Sequence, residues 1–376
     1  MGDPLDLSSR NRIGSTAVEV SPLGLGTVPL GGLYEPVAEA EALAVVRRAY
    51  ELGIRHFDTA PQYGNGLAET RLAEVMGDFP RDQIVLATKV GRLLRPFTFA
   101  AKTKRVLVES LRSGDVKRIA GDAIKIGRRL VRGRSADVQL GAPFDRGQEA
   151  LEHYYDFSYD GVMRSVEESL RRLKVDRVDM LYVHDPDHHH DEAIEGAYKA
   201  LDKLRSEKSV GAIGVGMNQT QMLVRFAREA PFDCFLAAGR YTLLDQEALA
   251  ELIPECERRG ISLVVGGVYN SGILANPTPG AKFNYQAAPQ AVIEKAQRIQ
   301  AVCAAHGVPL MAAAIQFPLA NPVVASVLTG VRSVAEIDQN VAMFQVPIPD
   351  AMWRDLRFEG LLPSEAPTPL TAPALT

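Results

Sequence analysis

The strongest constraint in the sequence is an alternation of short apolar runs with helical patterns that repeats eight times. The runs are rich in Val, Ile and Leu and span Pro22–Thr27, His56–Ala60, Ile84–Val90, Val178–His184, Ala212–Met217, Cys234–Tyr241, Ser262–Gly267 and Val323–Gly330. Between them, apolar residues recur at helical spacing in Ala38–Leu52, Tyr159–Leu173, Asp191–Glu207, Gln246–Arg259 and Pro289–His306. Such alternation predicts parallel strands with helical crossovers, in an open doubly wound sheet or a closed barrel. Eight units favour the barrel, so the predicted fold is α/β, a (β/α)8 TIM barrel.

Three segments fall outside this alternation. Ile13–Val20, with a Gly-Ser turn, predicts an N-terminal β-hairpin that plugs the barrel floor. Residues 98–137, after the third strand, carry 11 basic and 4 acidic residues and predict an inserted basic amphipathic helix. Its apolar positions are Val116, Ile119, Ala123, Ile126 and Leu130. Residues 360–376 hold four prolines without a period and predict a loose tail, so that 1–376 forms one domain.

The composition of the chain limits the kinds of molecule that it is expected to bind. The chain is 46% hydrophobic, 23% charged and 7% aromatic, as expected of a folded protein with a full core. Its net charge of -4 offers no overall attraction to nucleic acid or anionic membranes, which favours a small-molecule substrate. The polar first residues predict no signal peptide, and no apolar run reaches membrane-spanning length. Three cysteines without a paired spacing, Cys234, Cys256 and Cys303, favour a reducing cytoplasm.

The apolar stripe of the inserted segment needs a surface to cover it. Because the segment follows the third strand, our first hypothesis is a lid that packs on the barrel and narrows the substrate entrance. A second subunit, which would make the protein a homodimer, and a membrane are the two alternatives. The acidic chain as a whole disfavours the membrane, and one basic helix without interleaved aromatics is weak evidence for nucleic acid.

Four polar residues follow the ends of predicted strands, where barrels of this kind hold their active sites. Asp58 ends the second strand, Tyr63 follows it in the loop, Lys89 ends the third strand and His184 ends the fourth. Tyrosine exchanges a proton near neutrality only if its phenolate is stabilised, and a neighbouring Lys89 ammonium held by Asp58 would do that. His184 would then orient the substrate oxygen by a hydrogen bond. The set predicts proton transfer, although a lysine or aspartate at a strand end is also common in structural ion pairs.

The histidines at 188–190, flanked by aspartates, suggest a metal site only at first sight. Adjacent histidines in a loop point in different directions and lack the helical spacing that converges on one ion. We therefore predict no metal site.

The segments FDTAPQYGNGLAE, LATKVG, LYVHD, IGVGMN and VLTGVRSVAEIDQN resemble the aldo-keto reductase family over nearly the whole chain except the insertion and tail. The resemblance implies a nicotinamide-dependent oxidoreductase in which Asp58, Tyr63, Lys89 and His184 match the catalytic tetrad. HDPDHH, GRYTLLD and GGVYNSGIL are similar to the family's NAD-linked sugar and pyridoxal dehydrogenases. No glycine-rich dinucleotide motif is present, and the family does not use one.

The resemblance also implies the cofactor contacts. It assigns Asn218 to the nicotinamide carboxamide, 267–274 to the pyrophosphate and 330–340 to the adenosine half. The residues it selects are Gly26, Thr27, Asn218, Gly267, Tyr269, Asn270, Ser271, Gly272, Leu274, Gly330, Arg332 and Asn340.

Three positions differ from many relatives. Ala238 stands where they carry a carboxamide-binding glutamine, and Gly266 stands where they stack an aromatic ring on the nicotinamide. Tyr269 and Arg240 are the nearby candidates to compensate. Glu336 replaces an arginine that binds the 2′-phosphate, so we predict a preference for NAD, with NADP as the alternative through Arg332.

The predicted function is oxidation of a small polyol, an aldose (lactol to lactone) or a pyridoxal-like alcohol by hydride transfer. An NADPH-dependent aldehyde or ketone reductase is the alternative within enzymology. A regulatory subunit of potassium channels on the same fold is the alternative outside it. Neither the substrate nor the physiological direction follows from these patterns.

Overall fold

Eight parallel strands close into a barrel and follow each other around it in chain order. This arrangement comes from a computed structural model that describes residues 5–33, 35–96 and 151–369. The strands are β1 (Leu23–Gly26), β2 (His56–Asp58), β3 (Val85–Val90), β4 (Met180–His184), β5 (Ala212–Met217), β6 (Cys234–Ala238), β7 (Ser262–Gly266) and β8 (Val324–Gly330). Each of the eight apolar runs contains one of these strands, which confirms the predicted (β/α)8 barrel.

Helices connect the end of one strand to the start of the next, and the last two helices follow β8. They are α1 (Glu39–Glu51), α2 (Leu67–Met76), α3 (Tyr159–Leu173), α4 (His190–Glu192), α5 (Lys199–Ser206), α6 (Thr220–Glu229), α7 (Leu252–Arg259), α8 (Gln290–Ala305), α9 (Leu310–Gln316), α10 (Val334–Phe344) and α11 (Asp350–Phe358). A π-helical segment, Ala193–Tyr198, joins α4 to α5. The predicted bounds of α3 agree with the structure because Ser158 caps its first turn, accepting a hydrogen bond from the Gly161 N–H.

The N-terminal hairpin closes the barrel floor, as predicted. Asn11–Arg12 pairs antiparallel with Glu19–Val20, and this pair is the floor hairpin. Ile13 and Val20 are fully buried against residues from the barrel interior, including Met180. The Asn11 side-chain amide donates to the Ala325 carbonyl, which ties the hairpin to β8.

After β3 the chain leaves the barrel in an element that the sequence patterns did not predict. Arg92–Pro96 pairs antiparallel with Leu151–Tyr155, and we call this pair the stem ladder. Gly91 makes the turn with φ 91°, and a Cβ there would lie 2.2 Å from the Phe157 ring, so only glycine fits. The predicted basic helix at 98–137 lies outside the described residues.

The prediction of a loose tail is wrong for its first part. Leu361, Leu362 and Ala366 are buried, and the Arg357 guanidinium donates to the Ala366 carbonyl at 2.7 Å and to Thr368 Oγ1 at 3.0 Å. The prolines prevent a helix in this segment. Its irregular backbone can still pack on the protein because an arginine side chain donates to a backbone carbonyl that no helix satisfies. Residues 370–376 lie outside the described residues.

A search of the described residues for membrane-spanning helices finds no single helix that qualifies. One pair of helical segments, Gln290–Ala305 and Leu310–Ala320, qualifies jointly by length and composition, and the pair is bent by 102°.

Candidate active site

The four strand-end residues selected from the sequence meet at the mouth of the barrel. Lys89 Nζ lies 2.5 Å from Asp58 Oδ1 and 4.9 Å from the centre of the Tyr63 ring. The Tyr63 and His184 rings meet edge to face with centroids 5.8 Å apart. Because β2, β3 and β4 are neighbours in the barrel, their carboxyl ends bring residues from distant parts of the chain into one cluster.

The Lys89–Asp58 pair is almost completely buried, with side-chain exposures of 2% and 3%. Lys89 also donates to the Thr59 carbonyl at 2.9 Å, which fixes the ammonium at one point of the mouth. The backbone N–H and the hydroxyl of Thr27 both donate to the Asp58 carbonyl, at 2.9 Å and 3.0 Å. Thr27, expected among the cofactor contacts, therefore braces the Asp58 backbone with its own side chain.

Tyr63 is a neutral phenol at physiological pH. Burial raises its pKa well above the usual value, and the carboxylates of Asp58 and Asp185 add to that effect. The sequence predicts that Lys89 stabilises the phenolate, but the ammonium is already bound to Asp58, so the pair carries little net charge. The structure therefore presents Tyr63 first as a proton donor, with the Lys89 ammonium beside its ring and the Arg92 cation lowering its pKa, so that both could stabilise the phenolate once formed.

His184 is also neutral. Burial lowers its pKa well below the usual value, and the positive charges of Lys89 and Arg92 lower it further. Within the described residues its Nδ1 is buried without a hydrogen-bond partner, while Nε2 lies 3.7 Å from Asp185 Oδ2. A neutral imidazole offers one N–H donor and one acceptor, so it can orient an uncharged oxygen without adding charge.

Arg92, on the stem ladder, is a site residue that the sequence analysis missed. Its guanidinium pairs with Asp185 Oδ2 at 2.8 Å, donates to the Gln62 side chain and lies 5.1 Å from the centre of the Tyr155 ring. It thereby joins the residue before Tyr63 to the residue after His184. The available signal was its place in the segment ATKVGRLL, three residues after Lys89.

The loop after β7 has the open backbone that the pyrophosphate assignment requires. Gly267, Asn270, Ser271 and Gly272 all have positive φ, of 67°, 45°, 61° and 101°. A Cβ on Gly272 would meet no atom within 4 Å, so this backbone faces open space. Asn270 is buried and accepts a hydrogen bond from the Thr242 hydroxyl at 2.6 Å, which holds the loop in this conformation. Leu274 is buried in the core beneath it.

Tyr269 and Asn340 join this loop to α10. The Tyr269 hydroxyl lies 2.9 Å from Asn340 Oδ1, and Asn340 is buried. Tyr269 is therefore turned toward the 330–340 segment. Gly330 closes β8 against β1, pairing with Gly26, and a Cβ there would lie 2.8 Å from the Pro29 ring.

Asn218 and Arg240 meet on the other side of the mouth. Asn218 follows β5 with an exposed side chain, and its carbonyl accepts a hydrogen bond from Arg240 Nε at 2.8 Å. Arg240 is also paired with Asp245 at 2.9 Å. The guanidinium is thus held at the rim.

Arg332 lies between two carboxylates at the start of α10. It is paired with Glu35 at 2.9 Å and with Glu336 at 3.2 Å, and its backbone N–H donates to Glu336 as well. The next free backbone N–H of the helix, that of Val334, donates to Glu41 Oε1 at 2.9 Å. Three carboxylates, those of Glu35, Glu41 and Glu336, therefore lie around the start of α10.

His189 and His190 contact separate carboxylates. His189 Nδ1 lies 3.0 Å from Glu192, and His190 Nδ1 lies 2.9 Å from Asp191. In the parts of the chain that the structure covers, no group of three or more His, Cys, Asp or Glu side chains is placed to hold a metal ion.

Comparison with known proteins agrees with this geometry. The family model of the aldo/keto reductase family matches residues 22–357. The chain is 40% identical to a pyridoxal 4-dehydrogenase of Microbacterium luteolum over 95% of its length and 99% of that protein. It is 36% identical to a D-threo-aldose 1-dehydrogenase of a Pseudomonas species, with 93% and 97% covered.

Solved structures show the same fold. The aldo-keto reductase AKR11C1 of Bacillus halodurans, in its holo form, superposes with a TM-score of 0.65 at 22% identity, over 98% of this chain and 99% of that one. The glycerol dehydrogenase AKR11B4 of Gluconobacter oxydans gives the same TM-score at 18% identity, over 99% and 100%.

Proposed function

The chain belongs to the aldo/keto reductase family of nicotinamide-dependent oxidoreductases, and on that premise we propose that it oxidises a ring-shaped small molecule, an aldose or a pyridoxal-like alcohol. The observation that carries the proposal is the cluster of Asp58, Tyr63, Lys89 and His184 at the barrel mouth. The identities to a pyridoxal 4-dehydrogenase and a D-threo-aldose 1-dehydrogenase support the substrate class.

In this proposal each of the four residues has one role. The nicotinamide, when bound, takes the hydride from the carbon that bears the hydroxyl. Tyr63 takes the hydroxyl proton, and the nearby Lys89 ammonium stabilises the phenolate that must exist beforehand. Neutral His184 donates a hydrogen bond to the same oxygen, and Asp58 holds the Lys89 ammonium in place. An aldose lactol leaves as the lactone and an alcohol as the aldehyde.

The cofactor would lie along the rim from the end of β5 round to the end of β1. We propose that the open loop at 267–274 wraps the pyrophosphate, with Ser271 and Gly272 nearest to it. Asn218 would hold the carboxamide, the backbone at Gly26 and Gly330 would border the cofactor, and Asn340 with Tyr269 would support the adenosine half.

We propose NAD rather than NADP as the cofactor. Glu35 and Glu336 form ion pairs with the Arg332 guanidinium, and Glu41 accepts a hydrogen bond from the Val334 N–H at the start of the helix. A 2′-phosphate would have to displace one of these carboxylates and would be repelled by the others.

Reduction of a carbonyl with the same residues is the second candidate. The specific observation in its favour is the raised pKa of Tyr63, which keeps the phenol protonated and ready to donate. The two directions therefore differ in their dependence on pH: reduction has its proton donor throughout the neutral range, whereas oxidation gains its base as the pH rises.

We further propose that 1–376 is one domain, since the floor hairpin and residues 361–368 both pack on the barrel. The three cysteines are buried and free, which supports a reducing compartment such as the cytoplasm. A homodimer is the partner hypothesis for the inserted segment, and sedimentation of the purified protein would decide it.

The test is a turnover assay of the purified protein with a panel of aldoses, pyridoxal-like alcohols, simple alcohols and aldehydes, each with both cofactors. We expect ring-shaped substrates with NAD to give the highest kcat/KM, rising from neutral to alkaline pH. Efficient reduction of open-chain aldehydes with NADPH and no oxidation of any ring substrate would overturn the proposal in favour of the second candidate.

A further inference from the structure

A hairpin after β7 turns on a bulky residue where its geometry favours glycine. Lys282–Phe283 pairs antiparallel with Gln286–Ala287, and this pair is the rim hairpin. Its two-residue turn, Asn284 and Tyr285, has φ of 49° and 65°. Two-residue turns with positive φ at both positions are type I′, for which Asn-Gly is the preferred sequence. Tyr285 therefore stands in a left-handed conformation that crowds its Cβ against the backbone.

The turn lies over the barrel mouth. The backbone N–H of Tyr285 donates to Ser271 Oγ at 3.1 Å, in the loop that follows β7. Asn284 Oδ1 lies 3.9 Å from the position that a Cβ on Gly239 would take, and Gly239 directly follows β6. The tip of the rim hairpin thus rests on the ends of two neighbouring barrel strands, and the Tyr285 side chain is 61% exposed there.

On this side of the mouth the strands themselves end in residues with a small side chain or none. β6 ends in Ala238 followed by Gly239, and β7 ends in Gly266 followed by Gly267. A Cβ on Gly266 would meet only Leu236, at 3.5 Å. Tyr63 and His184 make a polar wall on the opposite side, whereas here the strand ends expose backbone.

Tyr285 is electrostatically coupled to the proton-transfer residues. A negative charge on its phenol raises the pKa of Tyr63. An exposed aromatic ring that is held in a strained turn beside a reactive group is typical of a functional position rather than of a stabilising one.

We propose, on the premise of the function proposed above, that Tyr285 is a specificity-determining residue that packs its ring on the face of a ring-shaped substrate. An aromatic side chain offers a large rigid contact surface at a small cost in conformational entropy. A pyranose or pyridine ring can cover that surface, whereas a short open-chain substrate cannot. The Tyr285 ring therefore selects cyclic over open-chain substrates.

The test compares Tyr285→Gly with Tyr285→Phe and with Asn284→Gly, which changes the same turn without removing a ring. Tyr285→Gly should lower kcat/KM for a ring substrate by about tenfold, mainly through KM, because a pocket contact of this kind discriminates by about that factor. Its kcat/KM for reduction of a short open-chain aldehyde should stay within about twofold of the wild type. Tyr285→Phe and Asn284→Gly should keep the ratio between the two substrates.

Thermal unfolding separates this role from a structural one. Glycine adopts positive φ without strain, so both glycine variants should unfold at the same temperature as the wild type or a higher one. A lower Tm for Tyr285→Gly, with equal losses on both substrates, would show that Tyr285 only supports the hairpin.

The two proposals fail in different ways. If the wild-type protein oxidises no ring substrate, the proposed function is wrong and the Tyr285 proposal is overturned with it. If the wild type oxidises ring substrates and Tyr285→Gly keeps the ring to open-chain ratio, only the Tyr285 proposal is wrong.

Discussion

The two sides of the barrel mouth are built in opposite ways. On the β2–β4 side, polar side chains come directly from strand ends or from the next few residues and are buried and bonded to each other, as in the Lys89–Asp58 pair. On the β6–β8 side, the strands end in small residues, and loops such as the one at 267–274 and the rim hairpin supply the groups instead. All eight strands are hydrogen-bonded on both flanks, so the two sides differ in where their polar groups are placed and not in how the strands are held.

The difference separates the chemistry from the recognition of cofactor and substrate. Proton transfer requires fixed distances between acid, base and substrate oxygen, which a closed barrel provides. Recognition of one cofactor or substrate among several depends on loops, because loops can change without altering the barrel. Substitutions on the first side should therefore affect all substrates, and those on the second should change preferences.

The largest effect should come from Tyr63→Phe, which removes the proton-transfer hydroxyl and keeps the ring. We expect turnover to fall by a factor of about 10² to 10⁴, the usual loss for a general acid or base, with little change in cofactor affinity. Steady-state kinetics and a fluorescence titration of the cofactor measure the two quantities. Tyr155→Phe, at an exposed tyrosine of the stem ladder, is the matched control. Near-normal turnover of Tyr63→Phe would remove the hydroxyl from the mechanism.

Next in size is the effect of breaking the buried pair. Lys89→Met leaves the Asp58 carboxyl buried without its cation, which should lower the free energy of unfolding by about 3–5 kcal/mol. The double variant Lys89→Met/Asp58→Asn should regain part of that loss, since it no longer buries an unpaired charge. Urea unfolding monitored by circular dichroism gives both values. If Lys89→Met were as stable as the wild type, the β2–β4 side would not be the rigid region that we describe.

The same contrast explains what could be predicted from the sequence. The eight apolar runs, and the polar residues Asp58, Lys89 and His184 at the ends of three of them, follow a local pattern, and the barrel geometry then brings these ends together with Tyr63 from the loop after β2. The role of Arg92 could not be predicted, because its partners Gln62 and Asp185 come from other loops and no local sequence pattern links the three residues. The hydrogen bond from the Thr27 hydroxyl to the Asp58 carbonyl could not be predicted for the same reason.

The electrostatic surroundings of the site residues were even harder to predict from the sequence. The sequence placed a lysine near Tyr63 and suggested a stabilised phenolate, but the direction of the pKa shift depends on burial and on which carboxylate holds the lysine. The strained turn at Tyr285 was hidden because a tyrosine between an asparagine and a glutamine gives no turn signal of the usual glycine kind.

Arg92→Gln tests whether the stem ladder belongs to the rigid side. The Arg92 cation lowers the pKa of Tyr63, so its removal should raise that pKa and move the pH profile of oxidation toward higher pH. We also expect kcat/KM at neutral pH to fall by about tenfold, because the loops that carry Tyr63 and His184 lose their common anchor. Arg95→Gln changes an exposed arginine of the same ladder, paired with Glu152, and should leave the profile in place. A profile that does not move in Arg92→Gln would assign Arg92 to packing alone.

The smallest effect should come from Glu336→Gln, on the loop-built side. Glu336 and Glu35 hold the Arg332 guanidinium between them, with side-chain exposures of 38% and 72%. Removing one charge frees Arg332 in part for a 2′-phosphate and reduces the repulsion, but exposed ion pairs contribute little free energy. We therefore expect kcat/KM with NADP to rise by about two- to fivefold and that with NAD to stay within about twofold.

Asp338→Asn provides the matched control, because Asp338 lies two residues further along α10 and pairs with Arg48 instead of Arg332. It should leave the ratio of the two cofactors unchanged. If Glu336→Gln lowered turnover with both cofactors alike, Glu336 would stabilise the start of α10 rather than discriminate between the cofactors. Its backbone N–H donates to Ser333 Oγ there. A wild-type preference for NADP of tenfold or more would contradict the NAD assignment itself and would mean that Arg332 leaves its carboxylates to bind the phosphate. In that case the β6–β8 side would change its ion pairs when the cofactor binds, whereas the ion pair on the β2–β4 side is already formed, and the two sides would differ even more in rigidity.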